Sequence, residues 1–287
     1  MSDGVAAPPA TRTAVLLTHR APAEVEAVGA AAEAAGAAGW RLVCAPDEAE
    51  KLGVIDGLTV MDALPDDPGL CLVLGGDGTI LRGLQRYAGT SVPVFAVNFG
   101  RIGFLAAVER EELAPGLRRA FAGEFEVLEM PGLEVAGRPA PALNDVTFSR
   151  RPADAMAELA YSVAGQEIGH VRCDGLVAAT PAGSTGYNLA NGGPVLAWGV
   201  EGFAVSFIAP HTLTARALVV APGDVLHVRN VGNRDSVAVA LDGRHEMDLG
   251  VGEEVEVRFR DGVSRLAQIP GSTFYARMRL KFGQLAG

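Results

Sequence analysis

The stretch Leu72-Val73-Leu74-Gly75-Gly76-Asp77-Gly78-Thr79-Ile80-Leu81 constrains this chain most, because an apolar run stops at three glycines that surround a single carboxylate. Cys71 to Leu74 reads as a buried strand, and Thr79 to Tyr87 has helical spacing, with Ile80, Leu84 and Tyr87 on one face and Arg82 and Arg86 on another. The segment between them is a strand-to-helix corner. Gly75, Gly76 and Gly78 let backbone N–H groups approach a ligand with no Cβ in the way, and the helix adds its positive end, which together suit a phosphate. Asp77 cannot itself hold phosphate. Beside such a cradle it suits binding Mg²⁺ or taking a proton from an attacking hydroxyl. A carboxylate that merely caps the helix would leave the same sequence.

The residues before and after this corner repeat its logic. Thr13 to His19 reads as a first strand, and Pro22 with Glu24 and Glu26 opens an alanine-rich helix closed by Gly39. Arg41 to Ala45 and Val92 to Val97 give two further strands, the latter leading into the loop Asn98 to Phe104. Strands alternating with helices imply a parallel sheet covered by helices, with ligands bound where strands end, as Asp77 and Asn98 do. This α/β N-terminal domain is expected over residues 1–107. Glu111 to Phe121 is helical in spacing and stops at Gly123.

Beyond that helix the texture changes. Short runs at 125–128, 143–148, 160–163, 225–228, 237–241 and 255–259 are separated by Gly, Pro and Asp turns, with Asp242-Gly243 and Asp261-Gly262 reading as hairpin turns. An all-β, sandwich-like C-terminal domain is expected over 108–272. Residues 273–287, including Tyr275 to Phe282, form a closing segment that packs back on the first domain. Inside the β region, Arg172 to Pro194 runs from a strand into a loop of small hydroxylated residues and a short helix from Tyr187 to Gly192. Small residues keep a pocket open, and hydroxyls and loop amides can bond ribose or base edges, although an ordinary ST-turn has the same composition.

Charge and motif content narrow the chemistry. The net charge of −10 excludes a broad nucleic-acid footprint, so an anionic ligand must meet a local cluster of arginines. Lys51 and Lys281 are the two lysines, and neither follows a Gly-rich loop, which excludes a Walker-type phosphate lysine and the protein-kinase strand lysine. No Gly-x-Gly-x-x-Gly is present, against the usual dinucleotide turn of dehydrogenases. No apolar run is long enough for a membrane span. Residues 1–12 read as a frayed tail, and Cys44, Cys71 and Cys173 as reduced core thiols of a cytoplasmic protein. His211, after an apolar strand, reads as a polar core histidine.

Taken together, Gly75 to Thr79, Asn98 to Leu105, Asn144-Asp145, Asp174-Gly175 through Gly183 to Tyr187 and Gly192 to Pro194, His211 to Leu213 with Arg216, Asp242-Gly243 and Phe274 to Arg277 occur in an order that resembles the NAD kinases. That family phosphorylates the 2′-hydroxyl on the adenosine ribose of NAD to give NADP. The resemblance implies that Asp77 is the proton acceptor, with Gly78 and Arg82 beside the dinucleotide or its phosphates. It implies that Asn144 and Asp145 contact ribose or base, that Thr185, Gly186, Tyr187, Asn188, Leu189 and Ala190 line the adenosine pocket, and that Phe104 packs against adenine. Arg172 and Asp174 would meet the far half of NAD, and Asp242 is a further NAD contact. Gly75, Gly76, Gly78, Thr79 and Arg82 would serve the phosphates of ATP or polyphosphate, with Mg²⁺ as the implied ion and no ligand set assigned to it. A homo-oligomer, dimer or tetramer, is implied as well.

Three positions depart from the family pattern. Asp145 stands where a glutamate is usual, Ala190 where a serine is usual, and Ala182 where a threonine or serine is frequent. Two other readings compete: a lipid or sugar kinase sharing the Asp77 turn, which would lack the 174–194 block, and a catalytically silent NADP-binding sensor, which would have lost Asp77.

Overall fold

The computed structural model describes residues 12–19, 25–100, 103–152 and 154–283; the expectations for residues 1–11, Pro22 and Glu24 fall outside them. The chain divides into two compact units, Met1–Leu128 with Arg265–Gly287, and Glu129–Ser264.

The first unit opens with β1 (Arg12–Thr18), α1 (Val25–Ala37), β2 (Trp40–Cys44), α2 (Pro46–Leu52), β3 (Leu58–Val60), β4 (Leu70–Gly75), α3 (Asp77–Arg86) and β5 (Pro93–Asn98). The strands pair in parallel in the order β5-β4-β1-β2-β3. Every residue of β4 is buried, so it reads as a continuous apolar run rather than an alternating one, as a strand covered on both faces must. Register sets Leu74 beside Thr18 and Gly75 beside Asn98, which gathers three strand ends at one edge. Then come β6 (Val108–Glu109) and α4 (Leu113–Ala122), the latter capped by Gly123 in the left-handed region at φ 74°. The expected helix start at Glu111 is instead a 3-10 turn over Arg110–Glu112.

The remaining elements are β7 (Glu126–Val135), β8 (Asp145–Ser149), β9 (Ala157–Val163), β10 (Gln166–Cys173), β11 (Gly175–Ala179), α5 (Tyr187–Ala190), β12 (Phe203–Ile208) and β13 (Leu218–Val220). They are followed by β14 (Val225–Asn230), β15 (Val237–Leu241), β16 (Arg244–Leu249), β17 (Glu254–Gln268) and α6 (Phe274–Phe282). In the second unit, six antiparallel strands in the order β13-β12-β11-β8-β15-β16 form one sheet, and β10, β9, β14 and the first part of β17 form another. Val146, Phe148, Leu176 and Phe203 from one sheet and Leu159, Val171, Leu226 and Val257 from the other share one core. Tyr161 and Phe207 meet across it with ring centroids 5.3 Å apart. This is the sandwich.

Two turn expectations part company. Asp242 and Gly243, at φ 49° and 76°, close a two-residue hairpin between paired Leu241 and Arg244. Asp261-Gly262 does not reverse the chain: β17 runs straight through it. Gly262 takes φ 61° and its N–H bonds Asp261 Oδ1 at 2.9 Å, so the pair bends a strand whose apolar residues continue on either side. The three cysteines are buried free thiols, and burial pushes Cys71 and Cys173 up to about 12, far from reactive.

Candidate active site

Asp77 is the first residue of α3, yet its side chain does not cap that helix. The carboxylate instead accepts the backbone N–H groups of Phe104 (3.0 and 3.2 Å) and Leu105 (3.2 Å). Burial pushes its pKa up, against the opposing pull of those two amides and of the Arg277 and Lys281 cations. The glycines around it differ. A Cβ on Gly75 would lie 2.8 Å from the Thr79 side chain, so that glycine serves packing, whereas nothing stands within 4 Å of a Cβ on exposed Gly78. Thr79 itself is buried.

The loop that meets Asp77 is held from several directions. Asn98 is buried, accepts Gly100 N–H at 2.9 Å and donates to Glu109 Oε2 at 2.7 Å; Glu109 Oε1 in turn meets Lys281 Nζ at 3.0 Å. A Cβ on Gly103 would fall 2.8 Å from the Asn98 amide, which fixes where the chain can pass. Phe104, read from sequence as an adenine platform, is buried with its ring 5.5 Å from that of Phe282, and its N–H is what faces Asp77.

Arg82 projects from α3 toward α2. Its Nη2 lies 3.1 Å from Glu48 Oε1, and Lys51 Nζ lies 3.2 Å from the same oxygen. Glu48 is 1% exposed, and its other oxygen accepts the N–H (3.2 Å) and hydroxyl (2.6 Å) of Thr18. A buried carboxylate with this many donors is satisfied, and it anchors Arg82 at the edge of an open hollow of about 720 Å³ lined by His19, Asp47, Glu50, Lys51 and Arg82.

In the second unit the Asp242 carboxylate accepts three consecutive amides, from Leu143 (2.9 Å), Asn144 (2.6 Å) and Asp145 (3.1 Å). The Asp145 side chain is 9% exposed, and burial first, then Asp242, push its carboxyl up to about 7. The loop after β11 is braced against the same segment: Thr180 Oγ1 donates to Leu143 O at 2.6 Å and accepts Gly183 N–H at 3.1 Å. A Cβ on Gly183 would sit 2.0 Å from Asn144 O, so only glycine fits. Ser184 and Thr185 hydroxyls donate to the carbonyls of Pro181 (2.7 Å) and Ala182 (3.1 Å). Asn188 is fully buried and donates to Ser184 O and Pro194 O, while Gly186, Tyr187 and Ala190 are exposed and Leu189 half-buried. Asp174 Oδ1 accepts Arg150 Nε at 2.5 Å, which holds its carboxyl below the usual range, and Arg172 pairs with Glu158 at 3.1 Å. His211 is exposed, not a core residue, and its backbone N–H bonds Arg172 O at 2.8 Å.

Residues 47–125 match the ATP-NAD kinase N-terminal domain and residues 143–268 the ATP-NAD kinase C-terminal domain. The chain belongs to the NAD kinase family. It is 36% identical over 261 residues to an NAD kinase of Symbiobacterium thermophilum, covering 87% of this chain and 89% of that one. It is 33% identical over 283 residues to NAD kinase 2 of Streptomyces avermitilis, 94% of each. Among solved structures, yeast NADH kinase complexed with NADH superposes with a TM-score of 0.81 at 22% identity, covering 97% of this chain and 92% of that one. An Archaeoglobus fulgidus NAD kinase in complex with ATP gives 0.71 at 25% identity, covering 96% and 98%. The protein is thus a phosphotransferase acting on NAD, and neither a lipid or sugar kinase nor a silent sensor finds support among these relatives. What the sequence reading of this NAD kinase missed are Glu48, Glu109, Arg150 and Gln268. Each is a polar side chain whose role comes from a partner distant in sequence, and no local pattern announces it.

Proposed function

We propose that this NAD kinase transfers the γ-phosphoryl group of ATP to the 2′-hydroxyl of the adenosine ribose of NAD, with Asp77 as the proton acceptor. The hydroxyl oxygen bonds phosphorus, the bond from phosphorus to the ADP oxygen breaks, and the hydroxyl proton passes to Asp77. The observation that carries this is the Asp77 carboxylate, placed at the end of β4, held by two loop amides rather than capping its own helix, and raised in pKa by burial. A base with a raised pKa takes a proton more readily. Gly78, with open space where a Cβ would be, suits close approach of phosphate; Gly75 and buried Thr79 shape the turn that presents it, and Gly76 and Arg82 are assigned to the phosphates beside it. We assign Asn144, Asp145, Asp242 and residues 185–190 to the adenosine half of NAD, and Arg172 and Asp174 to its far half.

No group of three or more His, Cys, Asp or Glu able to hold a metal occurs among the described residues. We assign Mg²⁺ to the nucleotide it arrives with, since this ion keeps several waters and is held by one or two carboxylates plus substrate phosphates. The ion would offset phosphate charge, and no residue of the chain is assigned as its ligand. No described helix is long and apolar enough to cross a membrane. From the family resemblance we assign a cytoplasmic homo-oligomer, dimer or tetramer, which light scattering will size.

The test is Asp77→Asn, which keeps shape and removes the base. NADP formation under saturating Mg·ATP and NAD falls about 10²–10⁴-fold at unchanged melting temperature. Turnover within about threefold of the parent overturns the assignment. Polyphosphate offered in place of ATP in the same assay decides the donor.

A further inference from the structure

Arg277 of α6 is 8% exposed, a guanidinium taken out of water. It donates through Nη1 to the carbonyls of Phe104, at 3.3 Å, and Ala106, and through Nη2 to Gln268 Oε1 and to Ser272 Oγ, at 3.0 Å. Gln268 Nε2 then donates to Leu105 O at 3.0 Å. The carbonyls of three consecutive residues, 104 to 106, are therefore gripped from α6 and the end of β17. The N–H groups of 104 and 105 point the other way, onto Asp77.

One peptide group links the two ends of this chain. Phe104 C=O and Leu105 N–H belong to the same amide plane, so a cation on the oxygen polarises the N–H that Asp77 accepts. Burying a guanidinium is costly unless its donors are used, and here Nη1 is used on the segment that holds the reacting carboxylate and Nη2 on Gln268, which grips the same segment.

We propose that Arg277 is a positioning residue for Asp77: through the 104–106 segment it fixes the carboxylate's orientation. This rests on the reading of Asp77 as the proton acceptor. Among the described residues, the charged groups around Asp77 are Arg277 and Lys281 on α6, both of which favour its ionised form, and Glu109 on β6, which pairs with Lys281 and faces Arg277. Loss of the Arg277 charge thus raises the Asp77 pKa and moves the acid limb of turnover to higher pH.

The experiment compares the full-length parent, Arg277→Met, Arg277→Lys and Asp77→Asn. Melting temperature, KM for NAD and ATP, and kcat are measured from about pH 5 to 9. Arg277→Met lowers kcat about tenfold or more with both KM values near the parent's, as expected for a misplaced group. It also shifts the acid limb up by about half a pH unit or more. Arg277→Lys keeps the limb in place and recovers part, not all, of kcat, because an ammonium carries the charge without the planar fork. An Arg277→Met profile that superimposes on the parent's, whatever its melting temperature, overturns the inference. Should Arg277→Met fail to fold, Arg277→Lys decides: reduced kcat at unchanged KM supports it, and parental kcat overturns it. Retained turnover in Asp77→Asn removes the base assignment and this inference together, whereas an inactive Asp77→Asn beside an unshifted Arg277→Met profile removes this inference alone.

Discussion

Asp145 gives the sharpest test of the second unit, because a carboxyl buried beside another carboxylate must lean on its proton. Its pKa rises from 3.8 to about 7, with burial the larger cause and Asp242 the second. Asp242 is committed to three backbone amides and cannot turn away. With the folded value above the unfolded one, the folded protein holds the proton more tightly. The stability this gives is complete below about pH 4 and is lost as pH rises toward and through about 7. Three units correspond to on the order of 4 kcal/mol in all, of which about 2.5 kcal/mol falls between pH 5 and 8. Asp145→Asn keeps the shape and does not titrate, so its melting temperature relative to the parent climbs as pH rises. The assay is thermal unfolding of both proteins at about pH 5 and 8, and the gap widens by roughly 5 °C or more between them, given the usual conversion for chains of this size. A gap of the same size at both pH values would refute the raised carboxyl.

Two further substitutions separate folding from binding. Gly78→Ala places a methyl in open space on a helix, so the melting temperature stays level or rises by the equivalent of about 0.5–1 kcal/mol. Its KM for ATP climbs by about tenfold or more because the methyl obstructs the phosphate, and an unchanged KM would place the phosphates elsewhere. Asp174→Ala frees Arg150 and weakens NAD binding, read as a larger dissociation constant by calorimetry; an unaltered constant would take Asp174 out of the NAD site.

The parallel sheet was legible because its strands announce themselves: β1, β4 and β5 are apolar runs closed by turn residues, buried almost throughout. The elements that escaped are short or polar. β3 is three residues long and mostly exposed, and α2 consists largely of charged residues, although Pro46 at its first position with Asp47 and Glu48 behind it is a helix-start signal that could have been used. β10 alternates poorly, with Gly169 and His170 in its middle and a register shift near Glu167, so its membership of the sandwich rests on pairing with β9. The Asp261-Gly262 pair shows the limit from the other side: a turn dipeptide says that the chain bends, and only the partners of the flanking residues decide whether it reverses.

The same limit governs the site. Asp77 stands out in the sequence because an acid among glycines has few local uses, but the sequence cannot say which of those glycines meets a ligand. Space decides it: a Cβ at Gly75 collides with Thr79, one at Gly183 collides with Asn144, and one at Gly78 meets nothing. A motif of this kind therefore mixes two demands, close packing of the turn and open approach to the carboxylate. The groups that orient Asp77 fall inside two stretches singled out by resemblance, Asn98 to Leu105 and Phe274 to Arg277, but nothing local assigns them that role. Arg277 reaches the Asp77 loop from about 170 residues further along the chain, and in sequence it is one of two arginines in a short helix with no marked apolar face. Its importance arises only because folding buries it against the carbonyls of Phe104 and Ala106, in the segment whose 104 and 105 amides face the carboxylate, so variants at Arg277 are expected to register first in kcat and its pH dependence, and only second in substrate affinity.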